Sequence, residues 1–310
     1  MNCSIIVPVY NGAESVPALI ERLRTVLPEV AGKYETILVN DGSRDQSWDR
    51  IIELSSQNNW VTGINLARNY GQHNALLCGI RQAQYEYIVT MDDDLQNPPE
   101  EIPGLLAKLA EGFDVVYGTP AREQHGLWRD LASQITKIAL QGTMGVDTAR
   151  KVSAFRAFHT HVRDAFANYH GYSVNIDVLL TWGTNRFTSI PVRHDPRRLG
   201  NSNYSFGKLI MHGINMLTGF STLPLQFASI TGFTFMFFGM GVLAYVLGRY
   251  AILGDSVPGF PFLASIIAIF SGAQLFALGI IGEYLARMYF QIMDRPPYAL
   301  RSKANHGVES

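Results

Sequence analysis

Three consecutive carboxylates, Asp92, Asp93 and Asp94, followed by Leu95 and Gln96, close a short apolar run at residues 87–91. Nowhere else does the chain concentrate charge so tightly. Hard oxygen donors of this kind suit Mg2+ or Mn2+, and such an ion can carry a diphosphate. In an extended segment alternate side chains point the same way, so Asp92, Asp94 and Gln96 would converge on one cation while Asp93 faces elsewhere. The plainer alternative is a solvated acidic turn, because Asn97, Pro98 and Pro99 followed by Glu100 and Glu101 also make a helix start.

A site of that kind has to be held by strands. Residues 4–9 (SIIVPV), 36–39, 61–66, 87–91 and 114–117 read as five strands, the first β-branched and nearly all apolar. Helical patterns at 14–27, 48–54 and 74–81 separate them. This alternation predicts an α/β fold with a mostly parallel sheet and right-handed crossovers. Ligands in such sheets bind outside the carboxyl ends of the strands, which places the acidic cluster on the right surface.

The other loops on that surface carry Pro8, Tyr10 and Asn11; Asp41 and Gly42; and Arg68, ending at Gly71 and Gln72. A carboxylate, tight turns and an acidic cluster together suit a nucleotide. Asp41 can accept from a nucleobase imide or a ribose hydroxyl, and Gly42 admits a close backbone. Asp-Gly-Ser is also an ordinary turn sequence. Neither G-x-x-x-x-G-K-[ST] nor G-x-G-x-x-G occurs, which removes the strongest support for P-loop and Rossmann dinucleotide readings.

With 310 residues there is room for one α/β domain of roughly 200 residues and something smaller. The formal net charge of −1 gives no basic field for nucleic acid. Cys3 and Cys78 show no metal-ligand spacing and read as packing residues in a reducing compartment. The opening MNCSIIVPVYNG lacks a basic region and a long apolar run, so the first domain is expected in the cytoplasm.

Composition changes near residue 204. No Asp, Glu, Lys or Arg falls between Lys208 and Arg249, and residues 260–282 are again uncharged. Segments 225–248 and 260–282 each exceed the roughly 20 apolar residues that cross ~30 Å of hydrocarbon. They read as transmembrane helices, with buried core helices as the alternative. Phe206, Leu209, Ile210, Ile214, Leu217 and Phe220 recur at helical spacing, which suits an amphipathic helix in the membrane interface or one facing a core. Arg287, Arg295, Arg301 and Lys303 follow the second span, so the positive-inside rule puts both ends in the cytoplasm. Arg193, Arg197 and Arg198 precede this half, where guanidinium forks can hold a lipid phosphate or attract anionic headgroups.

PVYN at 8–11, NDGS at 40–43, RNYGQ at 68–72, DDDLQNPPE at 92–100 and RRLGNSNY at 197–204 together resemble the inverting family 2 glycosyltransferases that load sugars onto polyprenyl phosphate. The likeness runs over nearly the whole chain, apolar spans included. It implies a GT-A-like nucleotide-binding domain at 1–203, an interfacial helix at 204–223, a two-helix transmembrane anchor at 224–286 and a cytoplasmic tail at 287–310. It implies a nucleotide-sugar donor, an undecaprenyl-type phosphate acceptor, an inner-membrane location and scope for a homo-oligomer. Asp41 would bind the nucleobase, Asp92, Asp94 and Gln96 the Mg2+ or Mn2+, and Arg129, Ser133 and Arg197 the acceptor phosphate. Pro8, Tyr10, Asn11, Gly42, Arg68, Gln72, Ser202 and Tyr204 would complete the substrate surface.

This chain departs from the family's pattern in three places. Asn40 stands where a second Asp is common. Pro120 and Ala121 follow the fifth strand where an Arg is common, leaving Arg122 as a stand-in. RKVSAFR at 150–156 has no acid ahead of Phe155-Arg156. A sugar hydroxyl needs a base to attack, whereas a phosphate monoester with a second pKa of about 6 is already largely ionised. The missing acid therefore favours a phosphate acceptor; Asp93 and Asp147 remain candidates if a base is used. A polysaccharide synthase acting on a sugar hydroxyl is the enzymatic alternative, without its Q-x-x-R-W signature here. A non-catalytic nucleotide-sugar-binding membrane scaffold is the other.

Overall fold

The computed structural model describes residues 1–120, 152–171, 174–195, 223–253, 259–293, 295–305 and 308–309. Strands β1 (Asn2–Val9), β2 (Lys33–Asn40), β3 (Val61–Leu66) and β4 (Tyr87–Thr90) alternate with helices α1 (Ser15–Val30), α2 (Ser47–Gln57) and α3 (Gln72–Gln82). After a 3-10 turn at Pro99–Glu101 come α4 (Ile102–Ala110), β5 (Val115–Pro120), β6 (Arg156–His159), α5 (Thr160–Asp164), α6 (Ile176–Gly183) and β7 (Phe187–Val192). Two long helices, α7 (Leu223–Leu253) and α8 (Phe260–Ile292), precede β8 (Leu300–Asn305) and β9 (Val308–Glu309).

All nine strands form one sheet in the order β7-β5-β6-β4-β1-β2-β3-β8-β9. β1 is parallel to both β2 and β4, and β2 to β3, as the strand-helix alternation predicts. β5 is not the direct neighbour of β4: antiparallel β6 lies between them. The reversal brings Arg156 opposite Thr90 and Tyr117, at the carboxyl end of β4. Pro8 has no N–H to give a ladder. The β1–β4 pairing accordingly ends at Ile6↔Thr90, while β1–β2 continues to Val9↔Asn40. β4 is thus released from β1 where the acidic turn begins.

The central strands are buried on both faces, and their side chains, pointing alternately to either side, feed two cores. Ile5, Val7 and Val89 pack on one face with Val16, Leu19, Leu23 and Leu105; Ile6, Ile64 and Ile88 pack on the other with Leu76, Ile80 and Leu179. Each such side chain, fully withdrawn from water, contributes about 1.5–3 kcal/mol. Cys3 and Cys78 are buried free thiols within these layers, pushed up to about 12 by burial, in keeping with a packing role.

α7 and α8 are long and apolar enough to cross a membrane, and none of either apolar window is buried inside the protein. A buried helical core does not look like this. Within the stretch expected as a tail at 287–310, α8 runs on to Ile292, and β8 then adds antiparallel to β3 with Gly63 opposite Ala304 and Ile64 opposite Lys303. Edge strand β3 has unpaired backbone groups to satisfy, and β8 supplies them. Lys303 Nζ also donates to Gln82 Oε1 at 2.8 Å. The interfacial stretch 206–220 lies outside the described residues.

Candidate functional site

The loops after β1, β2 and β4 enclose a cleft of ≈ 600 Å3 whose walls include Tyr10, Asn11, Ser15, Asp45, Asp93 and Asp94. Its floor is tied by backbone and side-chain bonds between loops distant in sequence. Asn11 takes a left-handed backbone (φ 54), its amide N–H donates to Ser43 Oγ at 3.0 Å, and its Oδ1 accepts from Arg44 N–H at 2.9 Å. Gly12 N–H donates to Ser47 Oγ at 2.8 Å and Ala13 N–H to Asp45 Oδ2 at 3.2 Å. Burial alone would raise the Asp45 carboxyl, but hydrogen bonds from the Ser47 hydroxyl and the Ala13 and Ser47 amides outweigh it and hold the group below its usual range. Asn11 thus builds the wall, while Tyr10 stands exposed at the rim.

Asp41 is almost fully buried, and its two oxygens accept the backbone N–H groups of Tyr70 at 2.7 Å and Gly71 at 2.8 Å. Burial raises its pKa and these two bonds oppose the rise. The carboxylate therefore first orders the loop between β3 and α3. Gly42 (φ +64) serves the same junction: a Cβ there would lie 2.4 Å from the Asn69 amide nitrogen and 2.5 Å from the Arg68 carbonyl carbon. The close backbone that Gly42 admits is the protein's own. Arg68, on that loop, sits 4.7 Å from the Tyr70 ring centroid, a cation-π contact at the surface.

The acidic segment is not extended. β4 ends at Thr90, Asp93 and Asp94 form a turn, and Leu95 adopts φ 59. Asp92, Asp94 and Gln96 are therefore not set on one side by strand alternation, which needs continued extended backbone. The carboxylates diverge instead. Asp92 Oδ1 accepts from Gln72 Nε2 at 2.6 Å, Asp93 Oδ2 accepts from Ser15 Oγ at 3.0 Å at the start of α1, and Asp94 Oδ1 accepts from Gln96 N–H at 3.1 Å. Ahead of α1, a Cβ on Gly12 would meet Asp93 Oδ2 at 1.9 Å, so the missing side chain makes room for this carboxylate. Among the described residues no three Asp, Glu, His or Cys side chains gather into a metal cage.

Beneath the turn, Arg156 and Asp177 form a buried ion pair, and Tyr117 OH donates to the same Asp177 oxygen at 3.1 Å. Burial and the Asp177 charge together keep the Tyr117 hydroxyl well above its ordinary pKa. Asp177 was missed in the sequence. It stands in the first turn of α6, whose cap is Asn175, with Oδ1 accepting from Val178 N–H at 3.1 Å. A capping Asn before an apolar run was the available signal.

Residues 193–195 fold onto the acidic turn from the far side. Asp195 N–H donates to the Gln96 carbonyl at 2.8 Å, His194 Nδ1 lies 3.4 Å from Asn97 Oδ1, and Arg193 pairs with Asp195 at 3.3 Å. A second cleft of ≈ 540 Å3 opens there between Arg22, Asp94, Leu95, Arg193 and Asp195. Asp94 lines both clefts. The structure brings together Tyr10, Asn11, Asp93 and Asp94, joins Gln72 to Asp92, and joins Asp41 and Gly42 to the Arg68 loop. Pro8 stays within β1. Arg122, Arg129, Ser133, Asp147, Arg197, Ser202 and Tyr204 lie outside the described residues.

A mostly parallel sheet with clefts at its carboxyl edge and an acidic turn after β4 is the architecture of GT-A glycosyltransferases. The chain belongs to glycosyl transferase family 2, whose sequence pattern matches residues 4–170. It is 36% identical over 300 residues to an undecaprenyl-phosphate 4-deoxy-4-formamido-L-arabinose transferase of Pectobacterium carotovorum subsp. carotovorum (strain PC1), covering 96% of this chain and 92% of the relative. A protein of the same name from Serratia proteamaculans (strain 568) is 35% identical over 313 residues, covering 99% and 96%. Among solved structures, glucosyl-3-phosphoglycerate synthase from Mycobacterium tuberculosis in complex with Mn2+, UDP-glucose and phosphoglyceric acid superposes with a TM-score of 0.54 at 17% identity, over 70% of this chain and 79% of that one. That likeness is one of fold.

Proposed function

We propose that the protein transfers a sugar from a nucleotide-sugar donor to a polyprenyl phosphate of the undecaprenyl type, with inversion, at the cytoplasmic face of the inner membrane. The observation that carries this reading is the extent of the likeness to the two undecaprenyl-phosphate transferases. It spans 96% and 99% of the chain, so the likeness extends over both long apolar helices and the segment leading to them as well as the α/β domain.

The cleft between the β1, β2 and β4 loops takes the nucleotide, with Asp41 ordering the Arg68 loop over it. Asp92 and Asp94 offer hard carboxylate oxygens at the acidic turn, either of which suits Mg2+ or Mn2+ held by one or two carboxylates plus substrate phosphates, with Gln96 assigned to the ion by family resemblance. Such an ion, when bound, offsets charge on the departing diphosphate. Asp94 lies between the two clefts and so between leaving group and nucleophile. The acceptor enters from the side of Arg193, with Arg129, Ser133 and Arg197 assigned to its phosphate by family resemblance. A phosphate monoester with a second pKa of about 6 attacks the anomeric carbon without prior proton removal, so orientation and charge are what this chain supplies.

The sheet supports this orientation. β8 and β3 are hydrogen-bonded neighbours, so with α7 and α8 as spans the residues before and after them would share one side of the membrane. Arg287 in the closing turns of α8 and Arg295, Arg301 and Lys303 beyond it favour the cytoplasm for that side. The test is incubation of the protein in vesicles with a panel of labelled nucleotide sugars and either polyprenyl phosphate or free polyprenol. Label extracted into lipid with the phosphate alone is expected. Equal labelling of free polyprenol, or of a sugar hydroxyl, overturns the acceptor assignment.

A further inference from the structure

Outside the two long helices, the exposed large apolar side chains among the described residues are Met1, Tyr10, Trp182, Met293 and Leu300. Tyr10 belongs to the nucleotide cleft. Trp182, near the end of α6, is 54% exposed. It meets the Tyr169 ring edge-on, with centroids 5.3 Å apart at 80°. The two rings stand in a cleft of ≈ 460 Å3 shared with Phe166, Asn168, His170 and Gln291.

Gln291 fixes the depth of this cleft. It is the penultimate residue of the apolar window Ile269–Ile292, so the aromatic edge lies where the second span leaves the hydrocarbon. Exposed Tyr289, and Arg287 paired with Glu283, stand in the same closing turns of the helix, as interfacial anchors do. A bracket from the tail holds the edge there. Arg81 lies 5.7 Å from the Tyr298 ring centroid, and its Nη2 donates to the Tyr169 carbonyl at 2.6 Å. The chain leaving the span is thereby fastened to the loop that carries Tyr169.

We infer that Tyr169 and Trp182 lie in the headgroup and glycerol zone of the bilayer that holds α7 and α8, docking the catalytic domain flat on the lipid surface. The inference rests on reading α7 and α8 as spans. Tryptophan and tyrosine suit this zone because each has an apolar ring to place among acyl chains and a polar atom to leave in water. The surrounding groups are mixed in sign, Arg163 against Asp164 with His170 beside them. Ring insertion, rather than a basic patch, is therefore the means of attachment.

The full chain, with Trp48, Trp60 and Trp128 each changed to Phe, is placed in phospholipid vesicles so that Trp182 alone reports. Lipids brominated near the carbonyl end of the acyl chain should lower its emission by about twofold or more, lipids brominated near the methyl end by less, and aqueous iodide only weakly, as interfacial burial requires. Efficient iodide quenching without lipid quenching overturns the proposal by placing Trp182 in water. Resistance to both also overturns it, the ring then being covered by protein such as a second copy of the chain. Should the triple variant not fold, the difference in emission between wild type and Trp182→Phe gives the same reading. Co-flotation with vesicles separately tests the spans, and sugar transfer tests the proposed reaction, so failure of either is distinguishable from failure at Trp182.

Discussion

Asp94 touches the wall of both clefts, and the chemistry proposed for it depends on charge rather than shape. Asp94→Asn keeps the side chain's size and one acceptor oxygen but removes the anion that a diphosphate-bound cation requires. Transfer should fall by about a hundredfold or more in the purified variant, a loss of roughly 2.7 kcal/mol or more in transition-state stabilisation, and EDTA should silence wild type. Full activity in either experiment removes the metal from the acidic turn. Asp45 carries a different message. Its folded pKa is lowered, so its ionised form adds stability that is complete above the ordinary carboxylate pKa of about 3.9 and is lost as pH falls through the lower folded value. Asp45→Asn should therefore lower the unfolding midpoint at neutral pH, and the gap to wild type should close in acid. A gap that does not change with pH would mean that shape, not charge, matters there. The cluster Asp92, Asp93 and Asp94 was legible from its place beyond a strand, whereas Asp45, in the loop after β2, carried no such signal. The directions of the three carboxylates were not legible, because the strand stops at Thr90 and the chain turns at Asp93 and Asp94 before left-handed Leu95, out of the extended form on which the alternation rested.

At the scale of elements, the first five strands and three helices could be read because each carries its own periodicity and ends in turn residues. β6 could not be placed in that way. Its four residues, RAFH, are too short to announce themselves, and their position between β4 and β5 comes from pairing across the sheet. The loops were half legible. NDGS was recognised as a turn, but only the folded chain shows that Gly42 is needed by Arg68 and Asn69. Gly42→Ala should cost stability through the positive φ alone by about 1–2 kcal/mol, and further through the backbone contact. Denaturant unfolding measures that loss. The variant should also bind nucleotide-sugar more weakly, since the displaced segment holds the Asp41 contacts. Unchanged stability and unchanged donor affinity would show that the loop relaxes freely.

At the scale of the whole molecule, an α/β domain followed by two long apolar helices could be read from the loss of charge after residue 208, whereas the return of the chain could not. LRSKAN at 300–305 is polar and short, and its strand exists only because edge strand β3 accepts it. This closure joins the end of α8 to the sheet that carries the site. A lipid phosphate is confined to headgroup depth, so a catalytic domain held at fixed height meets it without a search in the third dimension. Ala304 is the place to break the closure. It is buried opposite Gly63, where a Cβ on that glycine would lie only 3.4 Å from the alanine's own. An arginine there has no room against Gly63, even with Glu309 as its neighbour on β9, so Ala304→Arg should detach β8 from β3 while leaving the β1–β4 ladder and the clefts intact. Transfer to long-chain polyprenyl phosphate in vesicles should then fall about tenfold or more, and transfer to a short, water-soluble prenyl phosphate should change little, because proximity rather than chemistry has been lost. Protease should cut the freed tail sooner than in wild type. Equal loss on both acceptors would show that β8 supports the site itself, and equal retention on both, with the tail demonstrably cut, would show that the two spans alone set the height.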